Sequence, residues 1–193
     1  DDYLAFYDYD VNKIHTQPRE ECEQIQLAAL QLRFEQLRNA VPMVKKLADN
    51  EKIHEIKEFN DVLPLLFDHT MYKSYPPSLL HNKRFDALTT WLNKLTAIDL
   101  SGFDGKQCHD VDEWLDALYD QTPLSVVYSS GTSGLFSFLP KTKSIWDKFM
   151  RQYLVTIFQV FGEKAEVEKF PLNMHAIYPY FRSGGGHLRV NDY

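Results

Sequence analysis

The stretch that most constrains the fold of this chain lies between residues 124 and 134, where an apolar run opens directly into small residues. Val126, Val127 and Tyr128 are β-branched or aromatic, which is typical of a buried strand. Residues 129–134, with the sequence SSGTSG, carry almost no side-chain bulk. Such residues let successive backbone N–H groups converge on one anion, above all a phosphate. The sequence therefore predicts a strand followed by an anion-binding loop.

Three common glycine-loop motifs do not fit this loop. A Walker A loop requires a lysine directly after its last glycine, and Leu135 occupies that position. The dinucleotide-binding fingerprint requires a further glycine and a helix after the loop, whereas the residues after Gly134 predict a strand. A nucleophile elbow requires a serine flanked by glycines at two-residue spacing, and Ser129, Ser130 and Ser133 lack that pattern. A plain flexible connection between two strands stays open as the alternative.

The segment Tyr128–Gly134 closely resembles the phosphate loop of the adenylate-forming superfamily of acyl-CoA synthetases and related ligases. Within that superfamily, the chain is most similar to the phenylacetate-CoA ligases and to the acyl-protein synthetases of bacterial luminescence. The Leu63-Pro64 step before the loop and the predicted strand after it support this branch. Family members commonly carry a lysine just after the last glycine of the loop. This chain has Leu135 there, and its next lysine is Lys141.

The resemblance implies an enzyme that activates carboxylic acids. The carboxylate of the substrate would attack the α-phosphate of ATP, giving an acyl-adenylate and pyrophosphate, and the acyl group would pass to coenzyme A or to a protein cysteine. The attacking carboxylate is already ionised at neutral pH, so no general base is needed. The resemblance assigns ATP, with Mg²⁺ as its companion cation, to Ser129, Ser130, Gly131, Thr132, Ser133 and Gly134. It assigns no catalytic residue and no protein ligand to a metal.

A second glycine-rich segment, at residues 178–186, resembles the region that borders the carboxylate substrate in the phenylacetate-CoA ligase branch. The resemblance assigns substrate contacts to Tyr178, Tyr180, Phe181, Gly184 and Gly185. For the aromatic residues, ordinary core packing stays open as the alternative.

Composition argues against several classes of partner. The chain has 21 basic and 27 acidic residues and no cluster of arginine and lysine among aromatics, so nucleic acid is not expected. Cys22 and Cys108 are too few for a disulfide framework and lack zinc-site spacing, which favours a reducing, cytoplasmic location. No stretch approaches the roughly 20 apolar residues that a membrane-spanning helix needs.

Hydrophobic periodicity predicts a mainly helical region over residues 1–120 and a strand–loop–strand–helix–strand portion over residues 121–193. We expect an α/β fold in which a helical amino-terminal region precedes part of a mixed sheet with flanking helices, as in the large domain of adenylate-forming enzymes. Thr16 is predicted to cap the first helix, Asp110 with Glu113 to form a capping box at the helix over 111–119, and Ser144 and Asp147 to cap the last one. The helices are predicted at about 18–39, from Pro42 to Leu47, at 56–66, 83–95, 111–119 and from Ser144 to Phe161, and the strands at 124–128, 136–140 and 174–180. The apolar residues of the first helix fall into two rows, one with Ile25, Ala29 and Leu32 and the other with Leu30, Phe34 and Leu37.

Two other functions stay open. The leucine at position 135 favours a non-catalytic binding or interaction module, in which an adenylating fold has lost its chemistry. A helix beginning at Leu135 would instead indicate a phosphate-binding sensor or transferase of an unrelated α/β fold.

The family pattern includes an adenine-binding segment, an acidic ribose-binding residue and a carboxy-terminal catalytic lysine, none of which has a counterpart among these 193 residues. We therefore expect the chain to be the amino-terminal part of a longer enzyme. We predict that it catalyses no carboxylate-dependent exchange of labelled pyrophosphate into ATP by itself. Exchange above that of a control without carboxylate would contradict this prediction.

Overall fold

The computed structural model describes residue 13 and residues 16–129 and 134–160. Helices and a small antiparallel sheet together make an arrangement that is α/β in the broad sense. The helices are α1 (Arg19–Leu37), α2 (Pro42–Asn50), α3 (Ser78–His81), α4 (Phe85–Leu92), α5 (Val111–Gln121) and α6 (Lys143–Val160). The 3₁₀ helices are Phe59–Leu65, Met71–Lys73, Asn93–Leu95 and Gly105–Gln107, and the strands are β1 (Leu124–Tyr128) and β2 (Phe138–Thr142).

The two described strands form one antiparallel hairpin. β1 occupies the predicted residues, whereas β2 begins two residues later than predicted because its first residue, Phe138, pairs with Tyr128. The third predicted strand, at 174–180, lies outside the described residues.

The predicted helix cap at Asp110 is confirmed at the start of α5. The Asp110 carboxylate accepts a hydrogen bond of 2.9 Å from the backbone N–H of Glu113, and the Glu113 carboxylate accepts one of 2.8 Å from the N–H of His109. The second bond reaches one residue beyond the usual capping box. Side chains therefore satisfy one backbone donor that the helix leaves unpaired, at Glu113, and one in the residue that precedes the cap.

The other predicted caps are wrong. α1 begins directly after Pro18 without a side-chain cap, and the Thr16 hydroxyl donates to the backbone carbonyl of Lys13 instead. α6 begins at Lys143, so Ser144 and Asp147 lie inside the helix. The hydroxyl of Thr142, the last residue of β2, accepts a hydrogen bond of 3.3 Å from the N–H of Ile145. Strand and helix follow each other without a linker, and the last strand residue therefore takes the place of the cap.

The main core lies between α4, α5 and the hairpin, with contributions from the segments that join them. Its fully buried side chains include Leu88, Leu92, Trp114, Leu124 and Phe138. A second, smaller cluster joins α1 and α2 to the 3₁₀ helix at Phe59–Leu65, and its buried members are Phe34, Ala48, Ile56 and Leu65.

Only one of the two apolar rows predicted on α1 is partly buried. Phe34 is the single buried residue of this helix, and Leu27 packs against the same cluster. Ile25 and Leu32 belong to the other row and are 59% and 57% exposed. Periodicity therefore predicted the helix correctly but overstated how much of its surface is covered.

Gly105 allows the loop before α5 to approach the start of α4. A Cβ atom at this position would lie 2.8 Å from both the carbonyl carbon and the carbonyl oxygen of Phe85. Because those atoms belong to the backbone and Phe85 is buried, the clash cannot be relieved by moving a flexible side chain.

We predict that Gly105→Ala lowers the free energy of unfolding by about 1–3 kcal/mol, the usual cost of overpacking a core. Gly102→Ala is the matched control, since a Cβ there would meet no atom within 4 Å, and it should change stability by no more than about 0.5 kcal/mol. Urea unfolding of the three proteins measures both effects. Equal stability of the two variants would contradict the prediction.

Candidate functional site

The candidate phosphate loop lies at the closed end of the β1–β2 hairpin. Tyr128 and Phe138 form the last paired position of the two strands. Beyond this pair, the N–H of Ser129 donates to the carbonyl of Ser137 over 3.1 Å, and the N–H of Ser137 donates to the Ser129 hydroxyl over 3.3 Å. Two hydrogen bonds therefore close the base of the loop immediately before its glycine-rich residues.

The structure describes the two ends of the predicted phosphate site. Ser129 and Gly134 are both exposed, whereas residues 130–133 lie outside the described residues. The predicted substrate contacts Tyr178, Tyr180, Phe181, Gly184 and Gly185 also lie outside them.

Gly134 has a backbone φ of +84°, a conformation that side-chain-bearing residues rarely adopt. The chain continues through Leu135 without forming a helix and enters β2 at Phe138. A helix beginning at Leu135, which would indicate an unrelated α/β fold, is therefore not found.

Ser129 has the donor chemistry that a phosphate oxygen requires. Its hydroxyl oxygen accepts the hydrogen bond from Ser137, so the hydroxyl proton stays available to a further acceptor. Its side chain is exposed.

Tyr75 fixes the limb of the loop that returns to β2. Its hydroxyl donates a hydrogen bond of 2.8 Å to the carbonyl of Phe136, and the residue is only 2% exposed. Sequence reasoning did not identify Tyr75, because no local pattern links it to a residue 61 positions later. Phe136 also contacts Tyr128 through an edge-to-face pair, with 5.5 Å between the ring centroids.

Lys141 does not replace the lysine that is missing after Gly134. It is paired with Ser125 in the sheet, three positions further from the loop than the Tyr128–Phe138 pair. Its ammonium group lies 5.6 Å from the ring centroids of both Trp146 and Phe149, a cation–π arrangement on α6.

The described part of the chain has no group of three or more histidine, cysteine, aspartate or glutamate residues that could hold a metal ion. Cys108 is buried, and burial, with the nearby carboxylates of Glu113, Asp104 and Asp110, raises the pKa of its thiol. A raised pKa disfavours the reactive thiolate, so this thiol does not have the character of a nucleophile. Among the described helices, none is long and apolar enough to cross a membrane.

Comparisons of the chain with protein-family models, with curated proteins and with solved structures find no match in any of the three. The interpretation of the loop therefore rests on its residues and on the geometry of the hairpin that carries it.

Burial raises the pKa of Tyr75 to about 12. An unfolded chain releases the phenolic proton near pH 10, so the wild type should lose stability as the pH rises from 10 to 12. We predict that the difference in unfolding free energy between wild type and Tyr75→Phe is about 1 kcal/mol smaller at pH 11 than at pH 9.

Urea unfolding at the two pH values measures this difference. Tyr153→Phe is the control, because its side chain is 49% exposed. Its unfolding free energy should stay close to that of the wild type at both pH values. A difference between wild type and Tyr75→Phe that does not change with pH would contradict the prediction.

Proposed function

We propose that residues 129–134 bind the phosphates of ATP in a ligase that activates a carboxylic acid as an acyl-adenylate. The acyl group then passes to a thiol, either of coenzyme A or of a protein cysteine. The observation that carries the proposal is an SSGTSG loop at the end of a hairpin whose base is closed by the Ser129–Ser137 hydrogen bonds.

The closed base matters for catalysis because pyrophosphate gains negative charge as it leaves. Donors that are already fixed in position stabilise this charge without having to reorganise during the reaction. The Ser129 hydroxyl, whose oxygen is held by the Ser137 N–H, is such a donor. The hydroxyls and backbone N–H groups of residues 130–133 would supply the others.

Mg²⁺, the usual companion of ATP, would neutralise part of the phosphate charge when bound. The chain's own contribution is to bind and orient the phosphates, since the substrate carboxylate attacks in its ionised form. Tyr178, Tyr180, Phe181, Gly184 and Gly185 are proposed to border that substrate, and a cytoplasmic location fits the use of ATP and of thiol acceptors.

The main alternative is a non-catalytic module that binds a nucleotide or phosphate without reacting. The positions of Leu135 and Lys141 favour this alternative. Leu135 offers no charge beside Gly134, and the Lys141 ammonium lies over the aromatic rings of α6.

We predict that Thr132→Ala weakens binding of magnesium pyrophosphate to the 193-residue chain by about tenfold or more. A hydroxyl that bonds to a charged acceptor contributes about 1.5–3 kcal/mol. Thr156→Ala is the matched control, since this exposed hydroxyl donates to the Gln152 carbonyl within α6. Isothermal titration calorimetry measures the three affinities, and equal affinities for wild type and Thr132→Ala would contradict the prediction.

Pyrophosphate exchange by the intact protein separates the two functions. An enzyme shows exchange that depends on an added carboxylic acid and is lost in Thr132→Ala. A binding module binds magnesium ATP but shows no exchange with any acid of a broad panel. A protein that binds neither ATP nor pyrophosphate would contradict both functions.

A further inference from the structure

The segment at residues 68–75, which we call the anchor segment, brings one polar group from the helical part of the chain to the candidate loop. That group is the Tyr75 hydroxyl, which donates to the Phe136 carbonyl over 2.8 Å. Phe136 lies two residues after Gly134, on the limb that leads into β2. The Tyr75 side chain of the anchor segment therefore contacts the backbone of the loop, and this contact does not depend on which side chains the loop carries.

Hydrogen bonds within the anchor segment fix its first half. The Asp68 carboxylate accepts from the N–H groups of Thr70 and Met71 and from the Thr70 hydroxyl, over 2.6–3.0 Å. These bonds, led by that of the Thr70 hydroxyl, lower the pKa of the Asp68 carboxyl. The ionised carboxylate thus holds the turn that begins the 3₁₀ helix at Met71–Lys73.

A second set of bonds fixes the residue before Tyr75. The Ser74 hydroxyl donates to the Met71 carbonyl over 2.9 Å and accepts a hydrogen bond of 3.0 Å from the Trp91 indole. Trp91 belongs to α4, so Ser74 links the anchor segment to the main core. The backbone directly before Tyr75 is therefore fixed in position.

The Tyr75 ring is held as firmly as its backbone. It makes an edge-to-face contact with Trp91, with centroids 4.9 Å apart, and a tilted contact with Phe138 at 5.5 Å. A phenylalanine could fill the same space, so packing alone does not require a hydroxyl. What the hydroxyl adds is the bond to the Phe136 carbonyl.

We propose that Tyr75 is a positioning residue for the phosphate loop and acts through the Phe136 carbonyl. The inference rests on the proposed phosphate-binding function. The Ser129–Ser137 bonds close the base of the loop, and the Tyr75–Phe136 bond fixes its returning limb to the anchor segment. Together these bonds fix the two described ends of the loop relative to each other before an anion binds.

Tyr75→Phe tests this inference, with Tyr72→Phe as the matched control. Tyr72 lies in the same segment and packs against Phe67, but its hydroxyl makes no hydrogen bond to any described residue. Both variants lose one phenolic hydroxyl and keep the ring.

The first measurement is amide hydrogen exchange in the ligand-free chain. In Tyr75→Phe, exchange of the Ser129 N–H should become about three- to tenfold faster, the effect of losing one hydrogen bond. The N–H of Leu88 in α4 reports the change in global stability and should be accelerated clearly less than that of Ser129, and Tyr72→Phe should match the wild type at both positions. Equal acceleration at Ser129 and Leu88 would mean a general loss of stability and would overturn the inference.

The second measurement is the dissociation constant of magnesium pyrophosphate, determined by calorimetry on the same proteins. The inference predicts binding about three- to tenfold weaker in Tyr75→Phe and unchanged in Tyr72→Phe. If the wild type and Tyr75→Phe bind magnesium pyrophosphate equally well, the inference is overturned but the proposed function is not. Absence of binding by the wild type would overturn the proposed function, and this inference with it.

Discussion

The packing around the Phe138 ring is the interaction on which the rest of the structure depends. This ring is fully buried at the first position of β2. The rings that contact it come from the anchor segment, α4, α5, β1 and the returning limb of the loop: Tyr75, Trp91, Trp114, Tyr128 and Phe136. A two-stranded hairpin is marginal in isolation, so this packing is what makes it a stable support.

The position of the candidate loop follows from that packing. Phe138 is paired with Tyr128 across the sheet, and the loop begins at the next residue on each strand. The core ends at the Tyr128–Phe138 pair, and Ser129 is the first exposed residue beyond it. Hydrogen bonds of Ser129, Ser137 and Tyr75 fix the backbone at the start and end of the loop. Substitutions that weaken the packing around Phe138 should therefore increase the mobility of the loop before they unfold the chain.

The features that sequence predicted well are those that depend on nearby residues. The capping pair Asp110 and Glu113 and the β-branched run of β1 are local signals, and both were found. Thr16, Ser144 and Asp147 have the right chemistry for caps, but the start of each helix was set by Pro18 or by the end of a strand. Residue type alone does not say where the preceding element stops.

Contacts between distant residues were beyond sequence reasoning. The glycine loop was visible because its residues are contiguous, whereas its partner Tyr75 lies 61 positions from Phe136 and carries no local mark. Likewise, periodicity placed Ile25 and Leu32 on an apolar row of α1 but could not show that nothing in the described chain buries them. Which side of a helix is covered is decided by the whole fold.

The central claim is that residues 129–134 form a preorganised phosphate site, and a titration followed by nuclear magnetic resonance tests it most directly. Magnesium pyrophosphate is added to the ¹⁵N-labelled 193-residue chain, and the backbone amide signals are recorded at each step. If residues 129–134 bind phosphate, saturable shifts are expected at residues 129–137, with the amides of α1 and α2 unaffected. Signals that do not move, or that move to a similar extent throughout the chain, would contradict it.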